Sequence, residues 1–281
     1  LRGNLDFRQL DEESIDQMVA HFSELDLSQW EFQYEKGNFT IPFPTKVKGD
    51  DTFTVPLSKF YDVIDTERLL PDDLASYQSY IEERHRKMIA LTFDDGPDPT
   101  TTPQALAILK KYNAKATFFM VGKNVSANPD IAKQVRKEGH QIGNHTWDHP
   151  QLPKLSLDNA KKEILDTQEA IQKATGVQTK ITRPPYGAIN NAIQYGVDQS
   201  FIMWDVDSLD WKTHNTTAIL NEVKKEVKPG SIILMHDIHQ TTIDALPTVL
   251  DYLKSQGYTF VTVDELLDYQ LESHRIYYNG N

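Results

Sequence analysis

Two adjacent carboxylates, Asp94 and Asp95, stand where the apolar run Lys87-Met88-Ile89-Ala90-Leu91-Thr92-Phe93 meets Gly96-Pro97. Neighbouring side chains on a strand point to opposite faces, but a turn at the strand end can swing both acids into one cavity. Like charges that close shift each other's pKa unless a cation sits between them. His145-Thr146-Trp147-Asp148-His149 offers the means to hold one: two imidazoles at i and i+4, on one face of a helical turn that Pro150 ends. That spacing lets two nitrogens reach a single metal. A zinc-protease helix needs Glu directly after its first His, and Thr146 stands there instead. With no Cys in the chain, the third ligand is expected to be a carboxylate, and Asp95 is the best placed. Two His and one carboxylate leave a position open for water, which marks a catalytic arrangement more than a structural one. Non-haem Fe(II) uses the same ligand set, but its His-x-Asp/Glu spacing is missing.

The other polar groups then acquire roles. One Asp of the pair binds metal, and the other can take a proton from an activated water. Arg183 can neutralise and orient that base, because its planar fork suits a carboxylate. Pro184-Pro185 stiffens the segment, and the Tyr186 backbone N–H can face a developing oxyanion. His236 is a candidate proton donor to a leaving group, with Asp205 or Asp207 holding its ring. Trp204 and Trp211 read either as core or as a sugar-stacking surface near the site. His21, His85, His140, His214, His239 and His274 have no comparable setting.

These groups need a frame that brings them together. From Lys87 onward, apolar strands alternate with helices through short loops. Strands are expected at 87–93, 116–121, 140–145, 179–182, 200–206, 231–235 and 258–263. Helices are expected at 102–112, 130–138, 157–174 (capped by Ser156 and closed near Gly176), 217–227, 243–255 and 264–271. Seven strands alternating with helices imply parallel strands with crossover helices. The fold class is therefore α/β: a (β/α) barrel of about seven strands, short of a full eight, or an open doubly wound sheet. The strands end in Asp94-Asp95, His145, Arg183, Asp205-Val206-Asp207 and His236-Asp237. In a parallel barrel those ends share one mouth, where active sites are built.

Residues 1–86 differ from the rest and read as a small α+β accessory segment preceding a catalytic domain over 87–281. Expected there are a helix over 12–25 and a hairpin of 30–34 and 39–43 around a four-residue loop. A short strand at 53–57 and a polar helix at 72–86 follow. Nothing in this segment suggests chemistry. The chain has 281 residues and a formal net charge of −12, which argues against nucleic acid and against docking on anionic lipid. No apolar run approaches the ~18 residues of a membrane helix. A chain starting at Leu1 without Met is expected to be a trimmed or processed piece, which leaves room for a lost targeting or anchoring segment.

Thr92-Phe93-Asp94-Asp95-Gly96-Pro97, His145-x-x-x-His149, Arg183-Pro184-Pro185-Tyr186, Asp207-x-x-x-Trp211 and Leu234-x-His236 together resemble the five motifs of the polysaccharide deacetylases, carbohydrate esterase family 4. The match spans roughly residues 88–265. The stretch from Phe201 to Trp211 looks most like the peptidoglycan N-acetylglucosamine deacetylases of Gram-positive cocci. The resemblance implies a distorted (β/α) barrel. It also implies metal-dependent hydrolysis of N-acetyl groups on N-acetylglucosamine residues of peptidoglycan or another such polymer, with release of acetate. Asp94 would be the base, and Asp95, His145 and His149 would bind one divalent metal, usually zinc in this family. Arg183 would orient Asp94, Tyr186 would serve the oxyanion, and His236 would be the general acid tuned by Asp207. Trp211 and Leu234 would line the acetyl pocket. An extracellular or cell-surface location is implied too. Chitin-oligomer or acetyl-xylan deacetylation stays open, as does a catalytically weak glycan-binding module.

Overall fold

The computed structural model describes residues 33–35, 38–47, 50–56, 71–269 and 271–280. The chain divides into two compact units, Leu1–Glu83 and Arg84–Asn281. In the first, strands β1 (Gln33–Glu35), β2 (Asn38–Val47) and β3 (Asp50–Pro56) form an antiparallel sheet in that order. Glu35 pairs with Asn38, so two residues join the hairpin where four were expected; the ladder continues to the first turn residue and the last. The register of β2 against β3 shifts between Pro42 and Val47, a span holding Pro44, which cannot donate to a ladder. Helix α1 (Pro71–Arg86) opens with Asp72 and Asp73 in its first turn, the favourable end of the helix dipole for acids. The helix expected over 12–25 and the 30–32 end of the first strand lie outside the described residues.

The second unit is built on one parallel sheet of nine strands. In chain order its elements begin with β4 (Met88–Asp94), α2 (Thr101–Lys111), β5 (Thr117–Met120), α3 (Gly122–Ala127), α4 (Pro129–Lys137) and β6 (Gln141–Asn144). There follow α5 (Leu157–Thr175), β7 (Ile181–Thr182), α6 (Asn191–Gly196), β8 (Ser200–Ile202), β9 (Val206–Asp207), α7 (Asp210–Thr213) and α8 (Thr216–Glu226). The unit closes with β10 (Ile232–His236), α9 (Gln240–Ser255), β11 (Thr259–Val261), α10 (Val263–Leu266) and β12 (Ile276–Tyr277).

The strand order is β12-β8-β7-β6-β5-β4-β10-β9, and β11 pairs with β4. Along β4, Met88–Ala90 pairs with β11 and Thr92–Asp94 with β5. No ladder joins β9 to β12 among the described residues, so the sheet is a distorted, unclosed barrel. The strand count exceeds seven because the expected 200–206 strand breaks into β8 and β9, and because β12 adds to β8 at the edge.

β4 is central and buried along its whole length, which explains its unbroken apolar run. Phe93 stacks on Phe118 of β5 at 5.1 Å between ring centres. Beneath the helices, Leu106, Leu109, Leu246, Leu250 and Leu253 close one large core with β4, β5 and β10. Helix α5 starts where the sequence places it: the Ser156 hydroxyl accepts the Asn159 N–H, and Gly176 at φ 75° ends it in a left-handed cap. The expected helix over 264–271 is a single turn, Val263–Leu266. A capping box of Thr262 and Glu265 starts it, and left-handed Asp268 and Tyr269 follow its end.

Candidate active site

The C-terminal ends of β4, β6, β7 and β10 open on a cavity of about 380 Å³, lined among others by Asp94, Asp95, His145, His149, Tyr186, Asp207, Trp211, Leu234 and His236. Of the residues expected at the site, only Asp205 and Arg183 do not line this space, and Arg183 stands directly behind Asp94. Its guanidinium is wholly buried, and each of its three nitrogens donates a hydrogen bond. Nη1 donates to Asp94 Oδ1 at 2.8 Å and to Thr92 Oγ1 at 2.7 Å, Nε to the Ile202 carbonyl, and Nη2 to the Met203 carbonyl. The contact with Asp94 is thus one hydrogen bond and not a two-point fork. Phe119 covers the guanidinium face at 4.2 Å.

Asp95 leaves β4 in a left-handed conformation, φ 74°, and both carboxylates of the pair face one imidazole, Asp94 Oδ2 lying 3.6 Å from His145 Nε2. Asp95 Oδ1 lies 3.4 Å from His145 Nε2 and 3.3 Å from His149 Nε2. It is buried and has no hydrogen-bond partner among the described residues. His145 Nδ1 is 2.7 Å from the Arg183 carbonyl. That carbonyl only accepts, so Nδ1 carries the proton and Nε2 presents its lone pair to the centre. One ligand atom from each of Asp95, His145 and His149 lies within 4.8 Å of the others. An orphaned carboxylate oxygen facing two imidazole nitrogens fits a divalent cation. Burial opposes ionisation of Asp95, but His145 and His149 outweigh it and hold its pKa down at about 2.

The two imidazoles do not share a helical turn, as their spacing suggested. Residues 145–149 form an irregular loop with Thr146 at φ 67° and His149 at φ 65°. For a β-branched residue this region costs roughly 1–3 kcal/mol and must be held by its surroundings.

His236 faces the same cavity from the end of β10, and here one expectation fails. Asp205 and Asp207 do not hold its ring; Asp210 does, with Oδ1 2.8 Å from His236 Nδ1. Asp210 Oδ2 accepts the His236 backbone N–H at 2.7 Å and the Thr242 hydroxyl at 2.7 Å. Asp207 instead accepts the Leu209 N–H at 2.9 Å and pairs with the Trp211 side chain. Asp205 holds the start of β10 through the Ile232 N–H. The reason is local: Leu209 adopts φ 52° and starts the one-turn helix α7, carrying Asp210 inward. Burial works to lower the pKa of His236, but its bond and attraction to Asp210, with Asp94 and Asp95 adding, raise it to about 9.

Tyr186 is left-handed at φ 61°. Its ring is 68% exposed and sits edge-on to His149 at 4.7 Å. Trp211 is 49% exposed at the rim, and Leu234 is buried beneath it. Of the unassigned histidines, His140 is a buried core residue that accepts the Ala116 N–H.

Asp237 follows His236 at the strand end, where its residue type alone assigned it no role. It is fully buried and accepts the Thr102 hydroxyl, and burial pushes its pKa up to about 7. Its carboxylate fills the space beside Gly96, where an added Cβ would lie 2.6 and 2.7 Å from the two oxygens. Gly96→Ala is therefore expected to cost about 1–3 kcal/mol through overpacking, read as a lower Tm. An unchanged Tm would show that Asp237 can move aside.

A family model for polysaccharide deacetylases matches residues 81–200, and one for the peptidoglycan GlcNAc deacetylase N-terminal domain matches residues 1–78. The chain is 40% identical over 256 residues to the peptidoglycan-N-acetylglucosamine deacetylase PgdA of Listeria monocytogenes, covering 90% of this chain and 55% of that protein. It thus spans about half the length of that relative. A peptidoglycan-N-acetylglucosamine deacetylase of Bacillus cereus is 43% identical over 202 residues, covering 69% of this chain and 94% of the relative. The solved structure of the peptidoglycan deacetylase PdaC from Bacillus subtilis superposes with a TM-score of 0.64 at 44% identity, covering 65% of this chain and 91% of that one. The unclosed parallel barrel, the five motifs gathered at its mouth and these identities agree: the chain belongs to the polysaccharide deacetylases, carbohydrate esterase family 4.

Proposed function

We propose that the protein is a metal-dependent hydrolase that removes N-acetyl groups from N-acetylglucosamine residues of peptidoglycan. The observation that carries this is the division of the acid pair. Asp94 is held by Arg183, while Asp95 joins His145 and His149, and His236 shares their cavity. The names of the relatives support the choice of polymer. A divalent cation at Asp95, His145 and His149 would supply Lewis acidity, polarising an acetyl carbonyl and making a water easier to deprotonate. Zinc is the expected ion, since it accepts this mixed nitrogen and oxygen set with a position left open.

The chain's own groups do the proton work. Asp94 takes the proton of the attacking water, aimed by its hydrogen bond from Arg183. The Tyr186 N–H donates to the acetyl oxygen as it gains negative charge. His236, with its ring fixed by Asp210, gives its proton to the leaving nitrogen. Leu234 and Trp211 wall the acetyl methyl. The products are acetate and a free amine on the sugar. Such a polymer lies outside the plasma membrane, so an extracellular or cell-surface location belongs to the same proposal.

Elemental analysis of the purified chain, together with acetate release with and without chelator, tests this reading. Chelator is expected to abolish release from peptidoglycan, and added zinc to restore it. Acetate production that ignores chelator would remove the metal from the reading. Faster release from chitin oligomers or acetylated xylan, run alongside, would change the substrate. A metal-free protein that releases nothing would leave a glycan-binding module.

A further inference from the structure

Glu163 lies on α5, outside the cavity, yet its carboxylate reaches the loop that carries both imidazoles. Glu163 Oε2 accepts the Trp147 N–H at 2.8 Å and the Asp148 N–H at 3.2 Å. Asn144 Oδ1 accepts the preceding N–H, that of Thr146, at 2.9 Å, and its own amide donates to the Ile164 carbonyl on α5 at 2.8 Å. Side chains tied to α5 therefore satisfy three consecutive N–H groups of the loop. Across the loop, Gly122 and Lys123 donate to the Thr146 and Trp147 carbonyls at 2.9 and 3.0 Å.

The loop's own residues give no reason for this shape. It contains no Gly, although Thr146 and His149 are both left-handed, a region that Thr in particular avoids. Its conformation is imposed by its partners, and Glu163 is the partner nearest His149 in the chain of contacts. Losing that acceptor frees the two peptides that lead into His149, while His145 stays fixed by the Arg183 carbonyl.

We infer that Glu163 is a positioning residue for the metal site: by holding the Trp147 and Asp148 N–H groups, it sets His149 against His145 and Asp95. This rests on the reading of those three residues as metal ligands. Glu163 touches neither them nor the cavity and acts through the loop alone, as outer partners of metal sites do.

The test uses the full chain and Co2+, with affinity measured by competition against a chromophoric chelator well below the Tm of each metal-free variant. The visible spectrum of bound Co2+ gives a second readout. Glu163→Ala is expected to weaken Co2+ binding by about 10–100-fold and to alter the spectrum. Glu163→Gln, whose side-chain oxygen can accept the same two N–H groups, is expected to bind like the wild type. Glu163→Asp, one methylene short, is expected to fall between. A Glu163→Ala variant with wild-type affinity and spectrum overturns the inference, because a purely structural role lowers Tm without moving either. Should Glu163→Ala not fold, Asp and Gln variants of equal affinity overturn it as well. A wild type that binds no Co2+ overturns the metal reading and the inference with it.

Discussion

Asp94→Asn is expected to lower kcat for acetate release by about 10²–10⁴-fold, the usual worth of a positioned general base, with the metal still bound. The amide cannot take a proton, while Asp95, His145 and His149 all remain in place. The substitution also acts on the fold. Arg183 is wholly buried, and Asp94 is its only carboxylate partner among the described residues. Removing one member of a buried pair costs about 3–5 kcal/mol when the remaining charge is left unpaired. Here the loss is expected to be smaller, because Asn keeps an acceptor at Oδ1 and three other acceptors still bind the guanidinium. Acetate release, bound metal and Tm should therefore be measured on one sample. A folded, metal-loaded variant that keeps wild-type turnover would remove Asp94 from the role of base.

Asp210→Asn is expected to move the alkaline limb of the kcat profile toward acid pH and to lower kcat by about 10²–10⁴-fold at alkaline pH. The sign follows from the role. A general acid must carry its proton, and His236 keeps its own up to about pH 9 because Asp210, reinforced by Asp94 and Asp95, outweighs burial. With the Asp210 charge removed, burial regains influence, the imidazole pKa falls, and the neutral form appears at lower pH. The ring also loses its orienting acceptor, since Asn at that position can present its amide N–H to Nδ1 and reverse the tautomer. Asp207→Asn is the control. Asp207 bonds to Leu209 and Trp211 and acts on the imidazole only through space, so the alkaline limb should move much less than in Asp210→Asn. Movement of the limb in Asp207→Asn, with none in Asp210→Asn, would restore the role to Asp207.

The residues at issue here were legible to different degrees. Asp94, Asp95, His145, His149, Arg183 and His236 could be picked out because polar groups at the ends of apolar strands are costly to place in a core, and parallel topology sends those ends to one mouth. Asp210 was within reach as well, one position before Trp211 in the Asp207-x-x-x-Trp211 motif. Their place at the polar end of an apolar strand favoured Asp205 and Asp207 instead, and the left-handed turn at Leu209 left no mark in the residue pattern. Glu163 carried no signal at all: it is one acid among several on the polar side of an amphipathic helix.

The sequence alone carries the residue types on offer: two histidines and a carboxylate suited to one metal, a second acid, an arginine to pair with it and a further histidine at a strand end. It also determined the parallel α/β frame, because strand and helix periods are local properties of the chain. Only the tertiary structure decided how those groups are aimed. The His145–His149 loop is not the helical turn its spacing suggested, since its shape is fixed by Asn144, Gly122, Lys123 and Glu163. His236 answers to Asp210 because β10 and α7 meet there. A loop without periodicity takes its conformation from whichever distant partners satisfy its backbone, and those partners adjoin it only once the chain has folded.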